Sequence, residues 1–171
     1  VSETLSPSMD IQVASNFERL IYDINDFNDV ETEKIMAKIK KTGKYKIPKD
    51  NLVKIKKDFL SASLSVEEMK KIIINFSMLP GAAAVVVDPH TAIGLGAITK
   101  TVNENKGSGV NTANTISLAT AHPAKFPEAT KFAYGGAELP RELKRVMNKK
   151  ENFNIMDNNI DIIKSYILKK I

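Results

Sequence analysis

Two short polar stretches hold the residues best suited to chemistry in this sequence. They are Asp88-Pro89-His90-Thr91 and Thr120-Ala121-His122-Pro123-Ala124-Lys125-Phe126. Each follows a short apolar run that reads as a buried strand, Ala82 to Val87 and Thr115 to Ala119. In open α/β sheets ligands sit outside the carboxyl ends of strands, so the carboxylate, imidazole, hydroxyl and ammonium groups there are placed to meet a small ligand. A plainer explanation stands beside it. Asp88 and Thr91 suit the cap of a helix that Pro89 starts, and the Thr120 hydroxyl suits a turn. Other chemistries are excluded. With no cysteine there is no thiol nucleophile, disulfide or Cys-based metal site, and two histidines, His90 and His122, are too few for a His-rich one, so no metal is expected. Gly94-x-Gly96 lacks the third glycine of a dinucleotide loop, and Lys106-Gly107-Ser108-Gly109 lacks Walker spacing. No Gly-x-Ser-x-Gly elbow and no nucleophile–base–orienter set is present.

The elements that must position these stretches are mostly helical. Ser15-x-x-Glu18 reads as a capping box opening a helix whose apolar face is Phe17, Leu20, Ile21 and Ile24, ended by Asn25 to Asn28. A second helix is expected from Asp29 to Lys41, with Val30, Ile35, Met36 and Ile39 inward and Gly43 as its stop. Pro48 introduces a third, Lys49 to Leu60. A second capping box, Ser65-x-x-Glu68, opens a fourth that runs to Ser77. Asp88-Pro89 starts a helix from His90 to Val102, and Asn103 to Asn111 reads as a surface loop. Pro127 and Pro140 start two further helices, with Gly135-Gly136 between them. Phe153 to Met156 reads as a last strand before a closing helix, Asn158 to Lys170. Three short strands are too few for a layered sheet, so an incomplete α/β fold is expected.

The 171 residues are 43% hydrophobic and 26% charged, which excludes a mostly disordered, collagen-like or coiled-coil chain. No apolar run is long enough to span a bilayer, and Val1 to Thr4 has neither the basic start nor the apolar core of a signal peptide, so a cytoplasmic protein is expected. The net charge of +5 fits a solvated lysine surface or a polyanion partner. Ten lysines fall between Lys34 and Lys57, a stretch without arginine and with Tyr45 as its one aromatic residue. Specific nucleic-acid recognition usually needs arginine forks and stacking aromatics, so a solvated face is expected and a basic nucleic-acid-binding module is the rival reading.

Ser6-Pro7-Ser8-Met9-Asp10-Ile11 with Ser15-Asn16-Phe17-Glu18-Arg19-Leu20, Asp88 to Gly94, and Leu118 to Pro127 resemble, in order, blocks of threonine synthase, a pyridoxal-phosphate (PLP) enzyme. The lysine-rich block and the Asp157-to-Leu168 tail resemble its bacterial form. The resemblance covers essentially the whole chain and only the C-terminal part of the enzyme. It implies the C-terminal part of a PLP-dependent fold type II (tryptophan synthase β-like) enzyme, helix-rich with a few short strands. Residues 1–28 would end the cofactor-domain segment, 29–77 form a lysine-rich helical insertion, and 78–171 form an α/β part with cofactor-facing turns. The implied reaction converts O-phospho-L-homoserine and water to L-threonine and phosphate.

By the same resemblance Thr120 lies beside the pyridine nitrogen of PLP, and a neutral hydroxyl there tempers the ring as an electron sink. Asp88, His90, His122 and Lys125 are further pocket residues; Asp10, Ser15 and Asn16 are assigned inter-domain support near the active site, with capping the favoured role for Ser15. The Schiff-base lysine and the glycine-rich phosphate loop are expected upstream, in the N-terminal remainder of the enzyme. No catalytic residue is therefore assigned here, and these residues alone are expected to be inactive. Ala82 to Val87 departs from the family, whose approach to Asp-Pro-His-Thr is more polar and turn-like. A non-catalytic relic or interaction domain of the same fold is the other alternative.

Overall fold

A computed structural model describes residues 3–104 and 115–171. The chain divides into two compact units, Val1–Glu138 and Leu139–Ile171. In the first unit, α1 (Ser15–Ile24), α2 (Asp29–Thr42) and α3 (Lys49–Asp58) share one apolar core. Ile21, Ile24 and Ile35 are its buried centre, and Phe17, Leu20, Ile39, Tyr45, Ile47 and Ile55 close round them. α4 (Val66–Ser77) and α5 (Pro89–Glu104) build a second core with the single turn α6 (Pro127–Thr130). Met69, Ile73, Val87, Ala92, Ala129 and Ala133 are buried there.

The apolar spacing set the α1 face as expected, but the cap differs. The helix begins one residue early, with Ala14 in the capping position, and the Phe17 and Glu18 N–H groups donate to the Ala14 carbonyl. Ser15 is already helical, so its hydroxyl cannot reach back to an orphan N–H and no capping box forms. α1 closes in a Schellman motif. Phe27 N–H donates to Tyr22 O at 3.0 Å and Asp26 N–H to Asp23 O at 3.1 Å, with the Tyr22 and Phe27 rings edge to face 5.5 Å apart. Asp26 and Phe27 take positive φ to do so.

α2 starts where Asn28 accepts from Glu31 N–H at 2.9 Å. That start places Thr32, Ile35, Met36 and Ile39 on one stripe, at the i, i+3, i+4, i+7 spacing of an inward face. Val30 lies on the opposite side and is exposed, contrary to the inward position expected for it. Gly43 ends the helix at φ 71°, with nothing within 4 Å of where a Cβ would stand. Gly43→Ala should therefore cost about 1 kcal/mol, through backbone strain without a clash, read as a shift in the denaturant midpoint.

The second capping box is present in full. Glu68 N–H donates to Ser65 Oγ at 3.2 Å and Ser65 N–H to Glu68 Oε2 at 2.7 Å. Lys100 of α5 adds an ion pair to Glu68 at 2.8 Å. The hydrogen bond from Lys100, then those from Ser65, lower the Glu68 carboxyl to about 2. Ser65→Ala should cost about 1 kcal/mol in equilibrium unfolding, and Ser65→Asp should restore most of it. Gly96 of α5 faces Leu64, the residue before the Ser65 cap of α4, and a Cβ on Gly96 would clash with Leu64 Cδ2.

The helix-rich expectation holds, whereas the three strand readings do not: among the described residues no segment is paired as a strand. Ala82 to Val87 begins instead in a 3-10 turn, Gly81–Ala83, and continues as extended chain whose Val85 N–H donates to Phe76 O. Thr115 to Ala119 and Phe153 to Met156 are likewise without regular structure. β-Branched composition marks a preference for burial, but a strand also needs a neighbour for its N–H and C=O groups, and no described segment supplies one. The Asn103-to-Asn111 loop falls outside the described residues from position 105 onward. In the second unit, α7 (Arg141–Met147) follows Pro140 and α8 (Ile160–Leu168) follows Asn159, whose Oδ1 accepts from Asp161 and Ile162 N–H. Asn154 donates to Tyr166 Oη at 2.7 Å. Among the described residues no helix is long and apolar enough to cross a membrane.

Candidate functional site

Asp88 is the hub that joins the two polar stretches. It is 1% exposed, and its Oδ1 accepts from His90 N–H at 3.0 Å and from Thr91 N–H at 3.4 Å. These two bonds satisfy orphan donors at the start of α5, and Ala92 N–H on the Asp88 carbonyl at 2.9 Å is the first bond of the helix ladder. Asp88 Oδ1 also takes His90 Nδ1–H at 2.9 Å, and Oδ2 takes the Thr91 hydroxyl in a short bond. Burial by itself would raise the carboxyl, but the bonds from Thr91 and His90 outweigh it and hold Asp88 below its ordinary value.

From this hub two arms reach distant parts of the chain. His90 Nε2 accepts from Ser8 N–H at 3.2 Å, which together with the Asp88 bond assigns a neutral ring carrying its proton on Nδ1. Thr91 Oγ1 accepts from Thr120 N–H at 3.2 Å. The His90 ring also meets Phe126 edge to face, 4.8 Å between centroids. The Ser8 end of the first arm belongs to a loop that Asp10 closes, its two oxygens taking Thr4 N–H and Thr4 Oγ1–H, each at 2.8 Å. The 120–126 turn is itself held: Pro123–Lys125 forms a 3-10 turn, and Thr130 Oγ1 donates to Phe126 O at 3.0 Å.

Thr120, Asp88 and His90 are thus brought together. Both His90 ring nitrogens are already engaged within the chain, which makes that side chain a clip. Thr120 is exposed, and its hydroxyl has no hydrogen-bond partner among the described residues while its backbone is anchored. His122 is exposed and spends Nδ1 accepting Ala124 N–H at 3.2 Å, so it caps the 3-10 turn. Lys125 is exposed, with its ammonium 6.0 Å from the Phe126 ring centroid. Ser15 and Asn16 lie on α1 outside this network; Ser15 lines an open groove of about 590 Å³ with Tyr22, Thr32 and Met36, and Asn16 accepts from Arg19. Thr91 stands in the first polar stretch, where helix capping is its plainer reading, and the Ser8 backbone carries no signal in the sequence. The Asp-x-x-Thr spacing announces the bond within one helical turn, but the reach to Thr120 appears only in three dimensions. Among the described residues no group of three or more His, Asp or Glu side chains could hold a metal.

The family model described as "Threonine synthase, C-terminal" matches residues 91–167, which include Thr91, Thr120, His122 and Lys125. Residues 91–167 belong to the threonine synthase C-terminal family. The chain is 30% identical to threonine synthase of Saccharomyces cerevisiae, over 98% of its own length and 36% of that relative. It is 31% identical to threonine synthase of Pseudomonas aeruginosa, over 96% of its length and 34% of that relative. Among solved structures, PLP-bound threonine synthase from Brucella melitensis superposes with a TM-score of 0.71 at 33% identity, covering 98% of this chain and 34% of the other. Threonine synthase from yeast superposes with a TM-score of 0.67 at 30% identity. The chain spans about a third of the length of these relatives and has the fold of the C-terminal portion of threonine synthases.

Proposed function

We propose that the chain is the C-terminal working part of a threonine synthase, a PLP-dependent cytoplasmic lyase converting O-phospho-L-homoserine and water to L-threonine and phosphate. Its partner is the N-terminal remainder of the same enzyme, which brings the cofactor-binding lysine. The observation that carries the reading is Thr120: an anchored backbone presents an exposed hydroxyl without a partner among the described residues, next to a buried polar hub. Such a hydroxyl fits the ring nitrogen of PLP, because it donates a hydrogen bond without forcing protonation. PLP, when bound, supplies the electron sink for the carbanion chemistry at Cα and Cβ of the substrate.

The chain's own residues orient and shield. Thr120 donates to the ring nitrogen and so sets how strongly the ring draws electrons. Asp88 and Thr91 keep the turn in place, and the Asp88–His90 pair ties down the Thr4–Asp10 loop through the Ser8 N–H. His122 and Lys125, exposed at the same turn, face the substrate side. The test is phosphate release from O-phospho-L-homoserine by the complete protein, with L-threonine measured as the second product. Phosphate without threonine would point to simple hydrolysis, and neither product would overturn the proposal.

A further inference from the structure

Thr91 is 6% exposed, and its hydroxyl is engaged in both directions. An ionised carboxylate can only accept, so the Thr91 proton goes to Asp88 Oδ2 and the Thr91 lone pairs face Thr120 N–H at 3.2 Å. The relay therefore has one polarity, from the Thr120 amide through the Thr91 hydroxyl to Asp88. It crosses 29 residues of chain, so helix capping does not require it. A cap is already made by Asp88 Oδ1 on the His90 and Thr91 amides. In the extended run that precedes Thr120, Ile116 and Leu118 are exposed and neither is part of either apolar core.

We propose that Thr91 is a positioning residue for the reaction: its hydroxyl, oriented by Asp88, holds the Thr120 backbone so that the Thr120 hydroxyl is presented to the cofactor. The inference rests on the cofactor reading of Thr120. Valine has nearly the shape of threonine without the hydroxyl, and serine keeps the hydroxyl without the methyl. The experiment uses the complete protein with Thr91→Val and Thr91→Ser, reading residue-resolved amide exchange, the cofactor absorption band, and kcat separately from KM. Thr91→Val should speed exchange at the Thr120 amide roughly tenfold, the worth of one hydrogen bond. It should leave the Ser8 amide, held by the other arm of Asp88, unchanged. The cofactor band should move and kcat fall with little change in KM, and Thr91→Ser should restore the original exchange rate, band and kcat.

Equal loosening of the Ser8 and Thr120 amides would overturn the proposal, because it would mean that Thr91 only stabilises the fold. So would an unchanged Thr120 amide, or a loosened one with a band that stays put while Thr120→Ala moves it. If Thr120→Ala leaves the band where it was, the cofactor reading itself falls, whatever the amide does, and the positioning role falls with it.

Discussion

Thr120→Ala in the complete enzyme is expected to lower kcat by roughly tenfold to a hundredfold, the range for losing one hydrogen bond of about 1–3 kcal/mol at a reacting group. The fold should be almost untouched. Thr120 is exposed and contributes to neither apolar core, and its one hydrogen bond among the described residues is made by the backbone N–H, which alanine keeps. The cofactor absorption band should shift, because the partner of the ring nitrogen has gone. Thr120→Ser, which retains a hydroxyl, should recover most of the rate. An alanine variant with wild-type turnover and spectrum would remove Thr120 from the site. The size of the effect also separates two roles. A residue that only binds the cofactor would show its loss in cofactor affinity, whereas one that tunes the ring shows it in kcat at saturating cofactor.

Asp88→Ala is expected to cost about 3 kcal/mol of equilibrium stability. The carboxylate serves four donors: His90 N–H, His90 Nδ1–H, Thr91 N–H and the Thr91 hydroxyl. The last of these is buried, so its loss of a partner is not made good by water. Asp88→Asn keeps the shape and one acceptor and should cost roughly half as much. Denaturant unfolding measures both, and a loss below about 1 kcal/mol for alanine would show that the hub is not holding the two polar stretches together.

The same group gives a pH dependence of known sign. The folded Asp88 carboxyl titrates below its ordinary value of 3.8, so the folded state binds fewer protons than the unfolded chain in that range. Its contribution is fully present above that value and is lost as pH falls through the folded value. Glu68, lowered to about 2, acts in the same direction from the start of α4. Stability should therefore fall on acidification from about pH 4 to pH 2, and Asp88→Asn should flatten that fall. A profile as steep in Asp88→Asn as in the original protein would assign the acid limb to other carboxylates.

How much of this was legible beforehand depended on how local each signal is. The Ser65–Glu68 capping box, the Gly43 end of α2 and the Asp88-Pro89 start of α5 are written in a few adjacent residues, and each formed. The Ser15 capping box failed by a single residue, since the bond pattern of the first turn, and not the residue type, decides which position is the cap. Val30 failed for a related reason: its apolar character says nothing of the phase in which α2 begins. The two polar stretches could be picked out by their chemistry and by their resemblance to family blocks, because short recognisable runs survive as sequence.

The amino-acid sequence alone carried the resemblance to threonine synthase, the helix-rich character and the candidacy of Thr120, Asp88 and His90. Only the folded chain decided that Thr91 bridges Asp88 to Thr120, that His90 is consumed by Asp88 and Ser8, and that the three apolar runs find no strand partner among the described residues. The physical reason is distance along the chain. Helix phase and caps depend on contacts within a turn, whereas a hydroxyl that meets an amide 29 residues away does so only after α4 and α5 have buried the apolar side chains between them.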